Sequence, residues 1–133
     1  MSISYAIEVK DLHKSFGSLQ ALRGAGFQAQ NGEVLSLLGP HCAGKSTTIS
    51  VLCGLLAPNS GDALVMGHSI RTEPEAAKAC LGYVPQDIAL YPDLSARENL
   101  TFWGKMYGLR GTVLKQRVAE VLDVVGLTAR RRD

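Results

Sequence analysis

Gly39-Pro40-His41-Cys42-Ala43-Gly44-Lys45-Ser46-Thr47 is the stretch whose residue types and spacing are suited to chemistry. A glycine, four residues and then Gly-Lys-Ser is the pattern of a backbone that curls around a phosphate, with successive N–H groups turned inward as an anion nest. Gly44 lets the backbone come close, and Lys45 can place its ammonium between terminal phosphates. The Ser46 hydroxyl suits an octahedral Mg²⁺ that also holds phosphate oxygens. From Thr47 a helix is expected, its N-terminal dipole adding to the field that favours the anion. Cys42 stands just before that helix and near Lys45, so its thiol is expected to ionise more readily than a free one.

The surrounding elements have to hold this loop. Residues 34–38, Val-Leu-Ser-Leu-Leu, read as a short strand buried on both faces. Residues 48–56 follow the loop with helix-like apolar spacing, and residues 57–62 end that helix. Upstream, residues 6–10 alternate, with Ile7 and Val9 on one face and Glu8 and Lys10 on the other, as in a half-buried antiparallel strand. Residues 11–17 are expected to leave the strand, placing Phe16 before Gly17. Residues 22–30 alternate again, and Asn31-Gly32 is a turn signal. Downstream, residues 63–66 read as a short strand, 73–80 as a weak helical turn, and 81–84 as another short strand leading to Pro85-Gln86-Asp87. Ser95 and Glu98 have the spacing of a capping box that opens a helix through about Tyr107, stopped by Gly108. Leu114, Val118, Val121, Leu122 and Val125 mark a second helix over residues 112–125, with Gly126 as its C-cap.

The chain of 133 residues has room for one domain with a real core. Its net charge of +2 gives no sign of a nucleic-acid partner. No apolar run approaches the roughly 18 residues of a membrane span. Met1-Ser2-Ile3-Ser4-Tyr5 lacks the basic start and apolar stretch of a secretory signal. The 3 cysteines are odd in number and have no metal-ligand spacing, as in a reduced, cytosolic chain.

Taken together, these segments resemble the nucleotide-binding subunits of ABC (ATP-binding cassette) transporters. Leu12-His13-Lys14-Ser15-Phe16-Gly17 looks like the family's aromatic A-loop, Leu37-Leu38-Gly39-Pro40 onward through Thr48 its Walker A segment, and Asn59-Ser60-Gly61 the turn after the Walker A helix. Tyr83-Val84-Pro85-Gln86 resembles the Q-loop, and Tyr91-Pro92-Asp93-Leu94-Ser95-Ala96-Arg97-Glu98-Asn99-Leu100 the start of the helical subdomain. The wording from Gln86 to Leu109 looks most like ATPase subunits of drug or ABC-2-type exporters.

The resemblance implies an α/β fold: a P-loop NTPase (ABC ATPase) core, incomplete, with an N-terminal antiparallel β subdomain and the start of the helical subdomain. Residues 1–133 then form a single partial nucleotide-binding domain, with an antiparallel β region over 1–32, a P-loop core to the Q-loop over 33–90, and the helical subdomain beginning over 91–133. It implies ATP and Mg²⁺ as ligands. Phe16 would stack on adenine and residues 39–47 would bind phosphate, while Ser46 and Gln86 would serve the metal. It also implies a transmembrane permease subunit and a second nucleotide-binding subunit as partners, at the cytoplasmic, inner face of the cell membrane.

Two departures stand inside the loop. The family usually has Asn or Ser where His41 stands and Gly where Cys42 stands. If the Cys42 position needs φ > 0, its side chain costs roughly 1–2 kcal/mol, and nucleotide binding weakens without being lost. The sequence also stops before the family's signature segment, the Walker B strand with its Asp and catalytic Glu, and the switch His. That strand lies beside the phosphate-loop strand in the family's parallel sheet.

Two readings of the activity therefore stand side by side: the ATP-binding part of an ATPase subunit that powers export, and a binding-only cassette that holds ATP without hydrolysing it. A P-loop kinase or GTPase leaves the series from Phe16 to Gln86 unexplained, and a nucleic-acid-acting cassette finds no support in the charge. Phe16 reads alternatively as a core aromatic at a strand end, and Gln86 as an ordinary turn residue. Asp123-Val124-Val125-Gly126 is read as a helix end, Arg130-Arg131-Arg132 as solvated, His13 and His68 as surface residues, and Phe102, Trp103 and Tyr107 as packing.

Overall fold

The computed structural model describes residues 5–40, 44–87 and 89–129. The arginines Arg130, Arg131 and Arg132 lie outside them. The described chain forms two compact units, Met1–Val84 and Pro85–Asp133.

The first unit is built on two long antiparallel strands, β1 (Tyr5–Phe16) and β2 (Leu19–Gln30), turned at Gly17. Helix α1 (Lys45–Leu52), β3 (Ser60–Val65), β4 (His68–Ser69) and the short α2 (Pro74–Ala79) follow. The sheet is antiparallel throughout, in the order β2-β1-β3-β4. Its core brings Val9, Leu12, Leu22, Ala63 and Val65 from the sheet against Val51 and Leu52 of α1 and Ala77 of α2.

β1 runs on to Phe16, beyond the departure at residue 11 that its sequence suggests, because of a bulge. Strict alternation would put Asp11 on the core side with Val9. Instead Asp11 takes a left-handed conformation (φ 48°), the phase slips, and Leu12 is the residue driven into the core. The bulge is tolerated because glycines face it on both sides. A Cβ on Gly61 of β3 would meet the Lys10 carbonyl oxygen at 2.6 Å, and one on Gly24 of β2 would meet Asp11 Oδ1 at 2.9 Å.

Two expected strands are absent. Residues 33–40 and 81–84 belong to no ladder among the described residues, and the burial expected of residues 34–38 fails with the pairing. Val34 is 93% and Leu38 90% exposed. The physical reason is common to both segments: an extended stretch becomes a strand only when a neighbour takes its N–H and C=O groups. No described segment does so here. The helix after the loop is also shorter than expected, ending at Cys53 and Gly54 (φ 67°). The two-residue β4 had no counterpart in the sequence reading. It is tied down by Asp62, whose carboxylate accepts from Ser69 Oγ at 2.6 Å.

The second unit is a helical pair, α3 (Ala96–Met106) and α4 (Gly111–Val124). The capping box is present: Ser95 Oγ accepts from Glu98 N at 3.3 Å and Ser95 N donates to Glu98 Oε2 at 2.9 Å. The Ser95 hydroxyl, which donates to Glu98 Oε2 at 2.7 Å, and then the Ser95 N–H hold the Glu98 carboxyl below the usual range. The cap therefore contributes above the ordinary glutamate range and fades as pH falls through the lowered folded value. Leu114, Val118 and Leu122 recur at helical spacing and pack on Ala96, Leu100 and Leu109. Gly104 lies against Leu114, where a Cβ would collide with its side chain. Phe102 and Trp103 do pack, but with Tyr91 (centroids 5.0 and 6.5 Å), whereas Tyr107, expected in that packing, is exposed. His13 and His68 are half-buried and paired with Asp11 and Glu73.

Residues 34–38 carry no charge and no proline, so their bare apolar backbone is a template for pairing between copies. Light scattering on the 133-residue chain should show association that rises with concentration, and Leu38→Lys should reduce it. A monomer that persists at high concentration would mean that this segment is covered.

Candidate functional site

The helix that begins at Lys45 starts from a residue only glycine can occupy. Gly44 is the N-cap of α1 in a left-handed conformation (φ 80°, ψ 4°). A Cβ there would fall 2.5 Å from the Ala21 carbonyl oxygen and 2.6 Å from Leu22 Cδ2 of β2. The close approach of backbone to strand aims the first turn of α1. Thr48 locks it from inside: its N–H and its Oγ1 both donate to the Gly44 carbonyl, at 2.8 and 2.9 Å, and the residue is buried.

The first turn carries no acidic residue, so its positive end is left uncompensated by its own side chains. Lys45 reaches back from it, and its ammonium donates to the carbonyl oxygens of Gly39 and Pro40, both at 2.6 Å. These contacts tie Gly39 and Pro40 to the start of α1. Ser46 is exposed and Thr47 half-buried on the same turn. His41, Cys42 and Ala43 lie outside the described residues.

Phe16 ends β1 opposite Leu19 and is 49% exposed. One edge of its surroundings is fixed by Lys14, whose Nζ lies 5.4 Å from the ring centroid and donates to Ala57 O at 2.8 Å. Lys14 pairs with Leu22, the residue packed against Gly44. Phe16 is thus about 7 Å farther along the strand than the pair that abuts the loop. Gln86 belongs to the second unit, exposed in a bend after Pro85. The structure thus brings Gly39, Pro40, Gly44 and Lys45 together, sets Ser46 and Thr47 on the turn they open, and puts Phe16 on the adjoining hairpin. Gln86 falls in the other unit.

Two positioning residues had escaped the sequence reading. Asn59 accepts from Ser15 N at 2.7 Å and donates its own N–H to His13 O at 2.8 Å, stitching the turn before β3 to the strand that carries Phe16. Asn99, buried in α3, accepts from Tyr91 N at 2.8 Å and donates to the carbonyls of Tyr91 and Leu94 at 3.0 and 2.9 Å. The available signal was an asparagine within a helix, where its side chain has to earn a backbone partner. Of the cysteines, Cys53 stands at the C-cap of α1, where burial pushes its thiol up, and Cys80 is exposed.

The donor set fits a phosphate ester and a hard cation. The loop offers a helix N-terminus, an ammonium and a hydroxyl, and among the described residues no group of His, Cys, Asp or Glu is placed to hold a metal. A divalent ion there would therefore take hydroxyl and phosphate oxygens, as Mg²⁺ does.

A Gly-Lys-Ser loop that opens a helix packed on the sheet is the frame of a partial P-loop NTPase core, as the comparisons with known proteins bear out. The sequence profile of the ABC transporter family matches residues 22–133, and the chain belongs to that family. It is 49% identical over 127 residues to the linearmycin resistance ATP-binding protein LnrL of Bacillus subtilis, covering 96% of this chain and 41% of that one. It is 41% identical over 121 residues to the probable multidrug ABC transporter ATP-binding protein YbhF of Escherichia coli, covering 91% of this chain and 21% of that one. A solved structure described as the ATP binding subunit of an ABC transporter superposes with a TM-score of 0.77 at 31% identity, over 96% of this chain and 52% of its own. The chain thus spans well under two thirds of the relatives it matches.

Gly44→Ala should destabilise the first unit by about 2 kcal/mol or more, from left-handed strain compounded by contact with Ala21. Denaturant unfolding measures it, and an unchanged midpoint would mean the close approach to β2 is absent.

Proposed function

We propose that the chain is the ATP-binding part of the ATPase subunit of an ABC exporter of the drug-resistance type, and that it holds MgATP on residues 39–47. The observation that supports it is the αL turn at Gly44, which aims an uncompensated helix N-terminus and the Lys45 ammonium at one point, in a chain of this family.

In this reading the first-turn N–H groups of α1 and Lys45 bind the phosphates, Lys45 exchanging its carbonyl partners Gly39 and Pro40 for phosphate oxygens. Gly39 and Pro40, with His41, Cys42 and Ala43, wrap the anion. Ser46, joined by Gln86, orients Mg²⁺, and Phe16 stacks on adenine. Bound ATP supplies a phosphoanhydride whose cleavage drives the cycle. In its complete form the protein couples that hydrolysis to export, working with a transmembrane permease and a second nucleotide-binding subunit at the inner face of the membrane. Similarity to LnrL and YbhF, named for linearmycin resistance and multidrug transport, supports drug-like cargo.

The alternative is a binding-only cassette, which would hold MgATP on the same residues without hydrolysing it.

Calorimetry with MgATP tests the reading. Lys45→Ala should weaken binding by about a hundredfold, the value of a charge-assisted contact, and Phe16→Ala by about tenfold. Turnover by the chain should stay far below the roughly 1 per second of ordinary enzymes. Equal affinity in wild type and Lys45→Ala would refute the phosphate-loop role.

A further inference from the structure

The helical unit carries a cleft lined by three cations. The cleft, of about 390 Å³, opens between α3 and α4, with Arg97 and Lys105 on one wall, Lys115 on the other, and Leu114 and Val118 in its lining. Arg97 and Lys105 are eight residues apart in sequence, so they share one face of α3 two turns apart. Leu114 and Val118 are buried side chains of the helical core, which makes the floor apolar.

These cations are not neutralised locally. Among the described residues, Arg97, Lys105 and Lys115 form no ion pair, while the acidic residues of the two helices are held elsewhere by Ser95, Arg117 and Thr128. The contrast with the cleft between α1 and α2 is instructive. It is of similar volume, about 360 Å³, but its Arg71 donates to Gly61 O and its Lys78 pairs with Glu75. Cations in that cleft already have partners. A third hollow, along residues 19–25, is walled by β2 alone and contains a single cation, Arg23.

We propose that the α3–α4 cleft binds the headgroup of an anionic lipid, with phosphate between Arg97, Lys105 and Lys115 and the first carbons of an acyl chain on Leu114 and Val118. Charge complementarity selects the phosphate. The apolar floor selects the lipid over a free phosphate ester, which would leave it wet. The long stems of Lys and Arg can line the chain while their charged ends reach the headgroup. The volume lies within the range of small-ligand sites. The proposal is independent of the nucleotide loop, since every residue it uses is in the second unit.

The test is calorimetry on the whole chain with three probes: dioctanoyl phosphatidate kept below its micellar concentration, glycerol 3-phosphate, and dioctanoylglycerol. Phosphatidate should bind, with glycerol 3-phosphate at least about tenfold weaker and dioctanoylglycerol showing no measurable binding. Lys105→Ala with Lys115→Ala should weaken phosphatidate by about tenfold or more, the effect of losing charge-assisted contacts. Lys105→Arg with Lys115→Arg should keep the affinity, and Lys78→Ala in the other unit should leave it unchanged. The proposal is overturned if wild type does not bind phosphatidate, or if the double alanine variant binds it equally. It is also overturned if glycerol 3-phosphate binds as tightly, or if Lys78→Ala weakens binding as much as the double variant.

Discussion

A steric constraint at Gly44 governs the first unit. The backbone passes so close to the Ala21 carbonyl and the Leu22 side chain that no side chain fits, and it turns there through a left-handed conformation. That one turn fixes the direction in which α1 leaves the sheet. Thr48, Val51 and Leu52 then lie at helical spacing on the buried side, leaving the N-terminus of the helix and Lys45 on the loop side. Packing and electrostatics are thus set by the same residue: the contact that seats α1 on β2 is also what gathers the positive groups.

The hairpin carries the constraint outward. β1 and β2 pair along their whole length, and the bulge at Asp11 keeps Leu12 in the core without breaking the ladder. Asn59 ties the return of the chain to the end of β1, and Lys14 bridges from Phe16 to the Ala57 carbonyl. The aromatic at the tip and the loop at Gly44 are therefore borne on one continuous strand pair. The segment just ahead of the loop is different. Residues 33–40 belong to no ladder among the described residues, are apolar over 34–38, and are held at their end where Lys45 grips Gly39 and Pro40.

What could be read in the sequence was what depends on near neighbours. The alternation of Ile7 and Val9, the Ser95–Glu98 box and the spacing of Leu114, Val118 and Leu122 each encode an element locally, and each element is present. The Gly-Lys-Ser spacing likewise marked where α1 begins, although the helix was expected only from Thr47 and opens at Lys45. Strands at 34–38 and 81–84 could not be secured this way, because apolar composition is necessary for a buried strand while pairing is supplied from elsewhere in the fold. The bulge escaped because the left-handed turn at Asp11 depends on Gly24 and Gly61, far away in sequence. Asn59 and Asn99 escaped for a related reason: their partners are carbonyls and amides, which sequence does not distinguish.

The central claim is that the first turn of α1, aimed by Gly44, receives an anion. Amide hydrogen exchange resolved to residues 44–48, with and without MgATP, tests it at the atoms concerned. The account predicts that these amides slow when MgATP is added, and that Lys45→Ala abolishes the slowing while leaving exchange in the β1–β2 hairpin unaltered. Exchange at residues 44–48 that is indifferent to MgATP, or slowing that persists in Lys45→Ala, would contradict it.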